Sequence, residues 1–188
     1  MRVLLTLGLV VLFTFATACD TGPKPGEEAA YWGKKLNTAD DIAKRDAALQ
    51  KLNDLKDKKC LPSLYEALAQ KGPAAELRPR VAELIGIIGD DTSMAPLLDG
   101  IDWTAGAGSN KETRAAANTN EKIAKALAKL GKGTDAKVVD ALKRLTGNNS
   151  QDVQLAALVA LGELRAAGAV QELIEIADGH PNNFMVKN

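Results

Sequence analysis

The feature of this sequence that most constrains its fold is an apolar pattern that recurs four times. Each occurrence has small or branched apolar residues three positions apart, followed by a turn and a second apolar run. The recurring cores are Leu49/Leu52/Leu55, Ala82/Ile85/Ile88, Ala124/Leu127/Leu130 and Leu158/Leu161/Leu164, and the interval between the second and third is the longest. Such intervals are typical of stacked helical repeats, in which neighbouring helix pairs cover each other's apolar faces. The sequence therefore predicts an α-solenoid of about four helix pairs.

The composition favours an all-α fold and argues against nucleic-acid binding. Only 4% of the 188 residues are aromatic, whereas β-strands favour aromatic and β-branched residues. The 24 lysine and arginine residues are balanced by 24 aspartate and glutamate residues. Proteins that bind DNA or RNA need an excess of basic charge at the interface. We therefore expect no nucleic-acid partner.

The N-terminus carries an apolar stretch of the kind that directs export. Residues 3–18 follow Arg2 and contain no charged side chain. The stretch is shorter than the roughly 20 residues that a membrane-spanning helix needs, so residues 1–18 are predicted to be a signal peptide. Ala16 and Ala18 also fit an ordinary signal-peptidase site, and a retained membrane anchor is a further alternative.

Residues 16–19, with the sequence ATAC, resemble the lipobox of bacterial lipoproteins. In that class the signal peptide is cleaved before the cysteine, which then carries lipid. The resemblance implies lipidation at Cys19, a membrane contact through the lipid anchor, and a location in the bacterial cell envelope on the periplasmic or extracytoplasmic face. Ala16 departs from the pattern, because that position most often holds leucine.

The segment after Cys19 has the composition of a linker. Two prolines and two glycines lie among the polar residues that follow it, so residues 19–30 are predicted to be a flexible tether. The repeat array is expected to occupy residues 31–188. Because Val186 follows Val153 by the same interval that separates the first two repeat cores, we expect the array to continue beyond this sequence.

Cys60 is the second of the two cysteines. Cysteine often behaves as a small apolar residue, so we expect a buried thiol at the start of a helix. A disulfide between Cys19 and Cys60 is the alternative if Cys19 carries no lipid, because an exported chain meets an oxidising environment.

Local signals within the repeats indicate where helices begin and end. Asp41 precedes the first apolar helix, and Pro62 suits the first turn of the next, where a missing amide hydrogen is tolerated. Gly89 is placed to end a helix. Thr92 and Asp135 are predicted N-caps, because a side-chain oxygen there can accept from exposed backbone N–H groups.

The second and fourth repeats resemble the short HEAT-like repeats of the phycobilisome-lyase class. The second repeat matches the pattern A-x-x-L-G-x-L-G-D at Ala82, Ile85, Gly86, Ile88, Gly89 and Asp90. The first repeat departs from it at Asn53 and Lys56, and the fourth has Arg165 at the second glycine. The likeness covers roughly residues 40 to 188 and implies a solenoid. It also implies an enzymatic alternative, a chromophore lyase or a related catalyst.

Trp103 lies in the longest of the intervals between repeats. Glycine, alanine and serine follow it, so Trp103 is predicted either to anchor a partner from a loop or to cover the seam between two repeats. Residues 111–121 are expected to extend the first helix of the third repeat backwards. Tyr31 and Trp32 are expected to cap the first helix pair.

The sequence offers little that indicates catalysis. His180 is the single histidine, Cys60 has no evident base partner, and the acidic pairs lack calcium-loop spacing. We therefore expect no catalytic residue, metal site or cofactor. The predicted function is a non-enzymatic scaffold that binds another protein or peptide. A lyase-type enzyme and a regulatory or assembly subunit of an envelope complex are the alternatives.

Overall fold

The computed structural model describes residues 22–105, 110–171 and 173–174, and the regular secondary structure within them is all helical. This part of the chain has no strand, so the predicted all-α class is confirmed for it. Its eight α-helices are α1 (Glu28–Thr38), α2 (Ile42–Leu55), α3 (Leu61–Ala69), α4 (Arg78–Ile88), α5 (Met94–Asp99), α6 (Lys111–Leu130), α7 (Ala136–Thr146) and α8 (Gln151–Glu163). The predicted signal peptide and Cys19 lie outside the described residues.

Helix α1 begins before the expected boundary between tether and array. A turn at Pro25 and Gly26 precedes it, with Gly26 at a φ of 83°, and the helix starts at Glu28. An acidic residue in the first turn suits the positive end of the helix dipole. The boundary expected at residue 31 therefore falls inside α1.

Each odd-numbered helix packs against the even-numbered helix that follows it. Helix α1 packs against α2, α3 against α4, α5 against α6 and α7 against α8. Among the even-numbered helices, α4 packs against α6 and α6 against α8. Among the odd-numbered helices, α1 packs against α3, α3 against α5 and α5 against α7.

One position in each even-numbered helix explains this pairing. The residue four positions before Leu49, Ala82, Ala124 and Leu158 donates from its side chain to a carbonyl at or just beyond the C-terminal end of the preceding helix. These bonds are Arg45 to Ala39 (2.6 Å), Arg78 to Leu68 (2.7 Å), Asn120 to Asp102 (2.8 Å) and Gln154 to Asn148 (2.6 Å). Carbonyls at a helix end lack partners within the helix. Leu68 provides such a carbonyl, whereas the other three acceptors follow the helix end; each bond ties an odd-numbered helix, or the residues directly after it, to the next even-numbered helix.

The buried core follows the predicted pattern except at the ends of α2, where two side chains are exposed, and at Leu130, Leu158 and Leu164, which are half-buried. Leu49, Ala82 and Ala124 are buried, as expected. Leu55, which was expected in the core, is 42% exposed, and Ile42 at the other end of the helix is 38% exposed. They are the first and last residues of α2, and the helix ends leave both side chains open to solvent.

The observed caps confirm one predicted N-cap and correct another. Asp135 accepts from the backbone N–H groups of Lys137 and Val138, as expected. Thr92 does not cap a helix; instead Asp90 accepts from the Thr92 N–H at 3.1 Å, and the hydroxyl of Ser93 accepts from the Asp90 N–H. The Asp90 carboxylate accepts from the backbone two residues later, so the N-cap is Asp90 and not the predicted Thr92.

At the glycines that end α4 and α6, neighbouring atoms leave no room for a side chain. Their backbone conformation does not require glycine. Gly89 and Gly131 have φ values of −66° and −79°, which any residue adopts. A Cβ on Gly89 would lie 2.5 Å from the carbonyl oxygen of Ile85. At the matching positions of the first and fourth repeats, Lys56 and Arg165 have a φ of 49°, in the left-handed region. Non-glycine residues adopt that region only at a cost.

Candidate functional site

A groove crosses the face formed by α4, α6 and α8, and we call it the α4–α6–α8 groove. It encloses about 240 Å³. Small residues form its floor, and charged side chains stand at its edges. The small residues are Gly86, Ala126, Ala128, Ala156 and Ala160, the charged residues are Glu83, Lys122, Lys125, Lys129 and Glu163, and Val159 completes the lining.

The small residues let the three helices approach closely. A Cβ built on Gly86 would lie 2.9 Å from the Cβ of Ala126 and 3.1 Å from its Cα. Real Cβ atoms do not come so close, so α4 and α6 would have to separate if Gly86 carried a side chain. Ala128 of α6 and Ala160 of α8 lie further along the same floor. The groove therefore depends on small residues at fixed positions of successive helices.

The charges at the groove edges are partly paired with each other. Lys122 lies 3.6 Å from Glu83 of the neighbouring helix and is half-buried, and Lys125 pairs with Glu121 on its own helix. Lys129 and Glu163 are exposed. Exposed ion pairs contribute little to stability, so these side chains are available to exchange partners. This arrangement suits binding of a charged peptide segment, which would lie on the small residues and contact the charged side chains at the edges.

Trp103 lies over Arg144 of α7, with the guanidinium carbon 4.0 Å from the ring centroid. The indole is 40% exposed. Two amides fix the backbone on either side of it: Asn120 bonds Asp102, and the side chain of Asn148 donates to the carbonyl of Ala105 at 3.0 Å. Trp103 therefore has a partner within the chain, while its role in binding another protein remains a prediction. Residues 106–109 of the same loop lie outside the described part of the chain.

Asp102 and Arg78 place opposite charges beside this loop. The Asp102 carboxylate accepts from the Thr104 hydroxyl at 2.6 Å and from its N–H at 3.0 Å, and these bonds lower the pKa of Asp102. Arg78 also donates to the carbonyl of Gly100 at 2.6 Å. Burial lowers the pKa of the Arg78 guanidinium, while the Asp102 charge raises it. Both residues serve to hold the connection after α5.

Cys60 is a free and buried thiol, as the sequence predicted. It lies immediately before α3, and burial raises its pKa to about 11. A thiol must ionise to act as a nucleophile, so Cys60 is unreactive at neutral pH. His180 lies outside the described residues.

The aromatic pair of α1 lies where a cap on the first helix pair was expected. Tyr31 and Trp32 meet edge to face, with ring centroids 4.8 Å apart. Trp32 packs against the buried core. Trp32 therefore covers apolar surface at the α1 and α2 end of the helices, and Tyr31 packs against its ring.

The described residues carry neither a metal cluster nor a membrane span. In the ranges given above, no group of three or more histidine, cysteine, aspartate or glutamate side chains is placed to hold a metal ion. The helices described there are also too short or too polar to cross a bilayer.

No family model matches the chain. A comparison with curated proteins likewise finds no match. The groove, the buried Asn120 and the Trp103 contact must therefore be interpreted from their own chemistry.

Sequence reasoning did not find the groove or the donors that tie the helix pairs together. The signal for the donors was present, because Arg45, Arg78, Asn120 and Gln154 share one position in the repeats. A polar residue at a fixed offset from each apolar core suggests a repeated structural bond. The equivalence of these positions was not recognised because two of the residues are arginines and two are amides.

Proposed function

We propose that this protein is a non-enzymatic, lipid-anchored helical-repeat scaffold of the bacterial cell envelope that binds another protein or peptide in the α4–α6–α8 groove. The observation that carries the proposal is the groove itself, in which three successive even-numbered helices combine a small-residue floor with charged edges. A surface built across several repeats is the usual binding face of a solenoid.

The recurrence of one hydrogen bond supports the repeat part of this proposal. Four donors at equivalent positions bind the end of the preceding helix, although the intervals between them along the chain are unequal. The packing of α4 on α6 and α6 on α8 repeats as well. A solenoid of HEAT-like pairs accounts for both features.

Chemistry at the groove supports binding over catalysis. Its ionisable side chains are three lysines and two glutamates, and the pKa of Cys60 is raised far above neutrality elsewhere in the fold. Acyl or group transfer requires an activated nucleophile with a base in hydrogen-bond reach. Lysines at the edges instead suit a partner segment that carries carboxylates.

The anchor part of the proposal rests on Cys19 and its resemblance to a lipobox. Labelled palmitate should enter the wild-type protein and the Cys60→Ala variant, and should be absent from Cys19→Ser. The Cys60 variant is the matched control, because it removes the other cysteine. Incorporation that survives Cys19→Ser refutes the anchor.

The binding part is tested by photo-crosslinking in intact cells. A benzophenone side chain is placed at Lys129, at the groove edge, and in a second variant at Lys51, exposed on α2 outside the groove. We expect a discrete adduct from position 129 and none from position 51. The same adduct from both positions, or none from either, contradicts binding in the groove.

A further inference from the structure

A shallow cavity lies between α1 and α2 and encloses about 410 Å³. An indole ring, small side chains and charged groups line it, namely Trp32, Lys35, Ala39, Asp40, Lys44 and Ala47. Residues 22–27, which lead into α1, do not contribute to this lining. The proposed cleavage before Cys19 leaves only residues 19–21 ahead of the described part of the chain. The mature N-terminus therefore offers little that could fill the cavity.

The cavity faces away from the other helix pairs. Gly33 and Asn37 mark the side of α1 that packs on α3: Ser63 occupies the space beside Gly33, and the Asn37 side chain donates to the Ser63 carbonyl at 2.9 Å. With 3.6 residues per turn, Lys35 lies on the opposite side of the helix. The cavity that Lys35 lines is therefore at the end of the helix series, on the side of α1 away from α3.

Aromatic and lysine side chains lie together at this end of the molecule. The Lys35 amine is 5.1 Å from the centroid of the Tyr31 ring, and that ring meets Trp32 edge to face. Both rings are half-buried, so part of each lies outside the core. Lys44 pairs with Asp40 at 3.2 Å, which partners the carboxylate of the cavity. Tryptophan, tyrosine and lysine are the residues that suit a membrane–water interface, because each combines an apolar body with a polar end.

The chain itself limits the distance between this cavity and the proposed anchor. Glu28, the first residue of α1, is the ninth residue after Cys19. A segment of that length spans at most about 32 Å when it is fully extended. A turn shortens it further, since the Glu27 N–H donates to the Lys24 carbonyl at 3.0 Å. A lipid on Cys19 would therefore hold the α1–α2 end of the molecule close to the bilayer.

The charges at this end cancel. Residues 22–47 contain five basic and five acidic side chains. Attraction to anionic lipid needs an excess of lysine and arginine near the membrane surface. Contact between this end and a bilayer would therefore depend on its aromatic and aliphatic surface and not on anionic headgroups.

We propose that the α1–α2 cavity lies on the lipid surface, with the Trp32 and Tyr31 rings at the level of the headgroups. The Lys35 and Lys44 amines point towards lipid phosphates. Zwitterionic phospholipid is sufficient for this contact, because the charges of residues 22–47 cancel. The contact directs the helix series away from the bilayer, with α1 and α2 nearest to it. The inference rests on the lipid-anchor part of the proposed function.

Two tryptophans make the contact measurable, because Trp32 and Trp103 are the tryptophans of the chain. Trp103→Phe leaves the emission of Trp32, and Trp32→Phe leaves that of Trp103. Trp103 is the matched control, since its ring lies over Arg144 of α7. From α1 to α7 the packing runs through α3 and α5, and packed helix axes are about 8–10 Å apart. Trp103 should therefore be too far from the bilayer to enter it.

The full lipidated variants are reconstituted into phosphatidylcholine vesicles with and without brominated phosphatidylcholine. Bromine on the acyl chains quenches an indole that enters the lipid. We expect brominated lipid to reduce the emission of Trp32 and to leave that of Trp103 unchanged. Equal quenching of the two tryptophans, or no quenching of Trp32, overturns the proposal. Quenching of Trp32 that requires added phosphatidylglycerol overturns it as well.

A charge placed in the cavity tests the surface itself. In the Trp103→Phe background, Ala47→Glu adds a carboxylate to the lining, whereas Gln50→Glu adds one on the same helix outside the cavity. Both positions are exposed. We expect weaker quenching of Trp32 in the first variant only, because a carboxylate enters lipid at a cost. The same quenching in both variants contradicts contact through the cavity.

Flotation of the vesicles separates failure of this inference from failure of the lipid anchor. Protein that floats with the vesicles while Trp32 is not quenched overturns the lipid contact and leaves the anchor in place. Protein that does not float overturns both. The Lys129 crosslinking experiment is independent of either result.

Discussion

Asn120 holds the backbone of Asp102 at both of its polar groups. The Asn120 Oδ1 accepts from the Asp102 N–H at 2.9 Å, and the Asn120 Nδ2 donates to the Asp102 carbonyl at 2.8 Å. Asn120 is fully buried in α6, and Asp102 begins the loop that carries Trp103. One side chain thus fixes the backbone at the start of the loop that makes the interval between the second and third repeats the longest.

Replacing Asn120 with alanine should lower the free energy of unfolding by about 1–3 kcal/mol, because two backbone groups lose their partner. Urea denaturation measures the change. Asn118→Ala is the matched control: Asn118 is exposed on the same helix and its loss should change stability by less than about 0.5 kcal/mol. Equal changes in unfolding free energy for the two substitutions would show that Asn120 does not anchor the loop at Asp102.

The loop around Trp103 should lose stability in acid. Hydrogen bonds from Thr104 lower the pKa of Asp102, so the folded state favours the carboxylate. The stabilisation is complete above the ordinary pKa of 3.8 and is lost as the pH falls through the lower folded value. Between pH 6 and pH 2, unfolding free energy should therefore fall less steeply in Asp102→Asn than in the wild type. Parallel pH profiles would contradict this.

Cys60 should resist modification in the folded protein. Burial raises its pKa to about 11, so almost no thiolate exists at pH 8. A thiol reagent such as dithiobis-nitrobenzoate should react slowly with Cys60 in the Cys19→Ser variant and rapidly after urea is added. Fast reaction of the native protein would show that the thiol is accessible.

Lys56→Gly should stabilise the protein by about 1 kcal/mol, because Lys56 is exposed and adopts the left-handed region that glycine enters without steric cost. Lys51→Gly, in the middle of α2, should instead destabilise it by about 1 kcal/mol. Thermal unfolding compares the two variants. A loss of stability in both would mean that Lys56 is not strained.

Much of the fold followed from the sequence because apolar spacing and helix-end chemistry act locally. The start of α2 after Asp41, the first-turn Pro62 of α3 and the cap at Asp135 each depend on a few neighbouring residues. The backward extension of α6 to Lys111 was also predicted correctly. Cys60 was correctly expected to be buried, because cysteine often behaves as a small apolar residue.

Features that depend on packing between distant residues were missed. The pairing of each odd-numbered helix with the next even-numbered one depends on side chains such as Arg78, whose acceptors lie 10 and 22 residues away. Gly89 was predicted to end a helix, but only the structure shows that Ile85 excludes a side chain at Gly89 and that Ala126 excludes one at Gly86. The groove arises from three helices together and has no local signal.

The same substitution at equivalent positions of α4 and α8 tests the central claim most directly, namely that α6 packs closely on α4 at Gly86, whereas none of the described residues lies within 4 Å of a Cβ at Gly162. The free energy of unfolding is measured for Gly86→Leu and Gly162→Leu. We expect Gly86→Leu to cost about 1–3 kcal/mol, because α6 occupies the space. Gly162→Leu should leave stability unchanged or raise it by up to about 1 kcal/mol, because leucine favours a helix over glycine. Equal losses in both variants, or tolerance of both, would contradict the account.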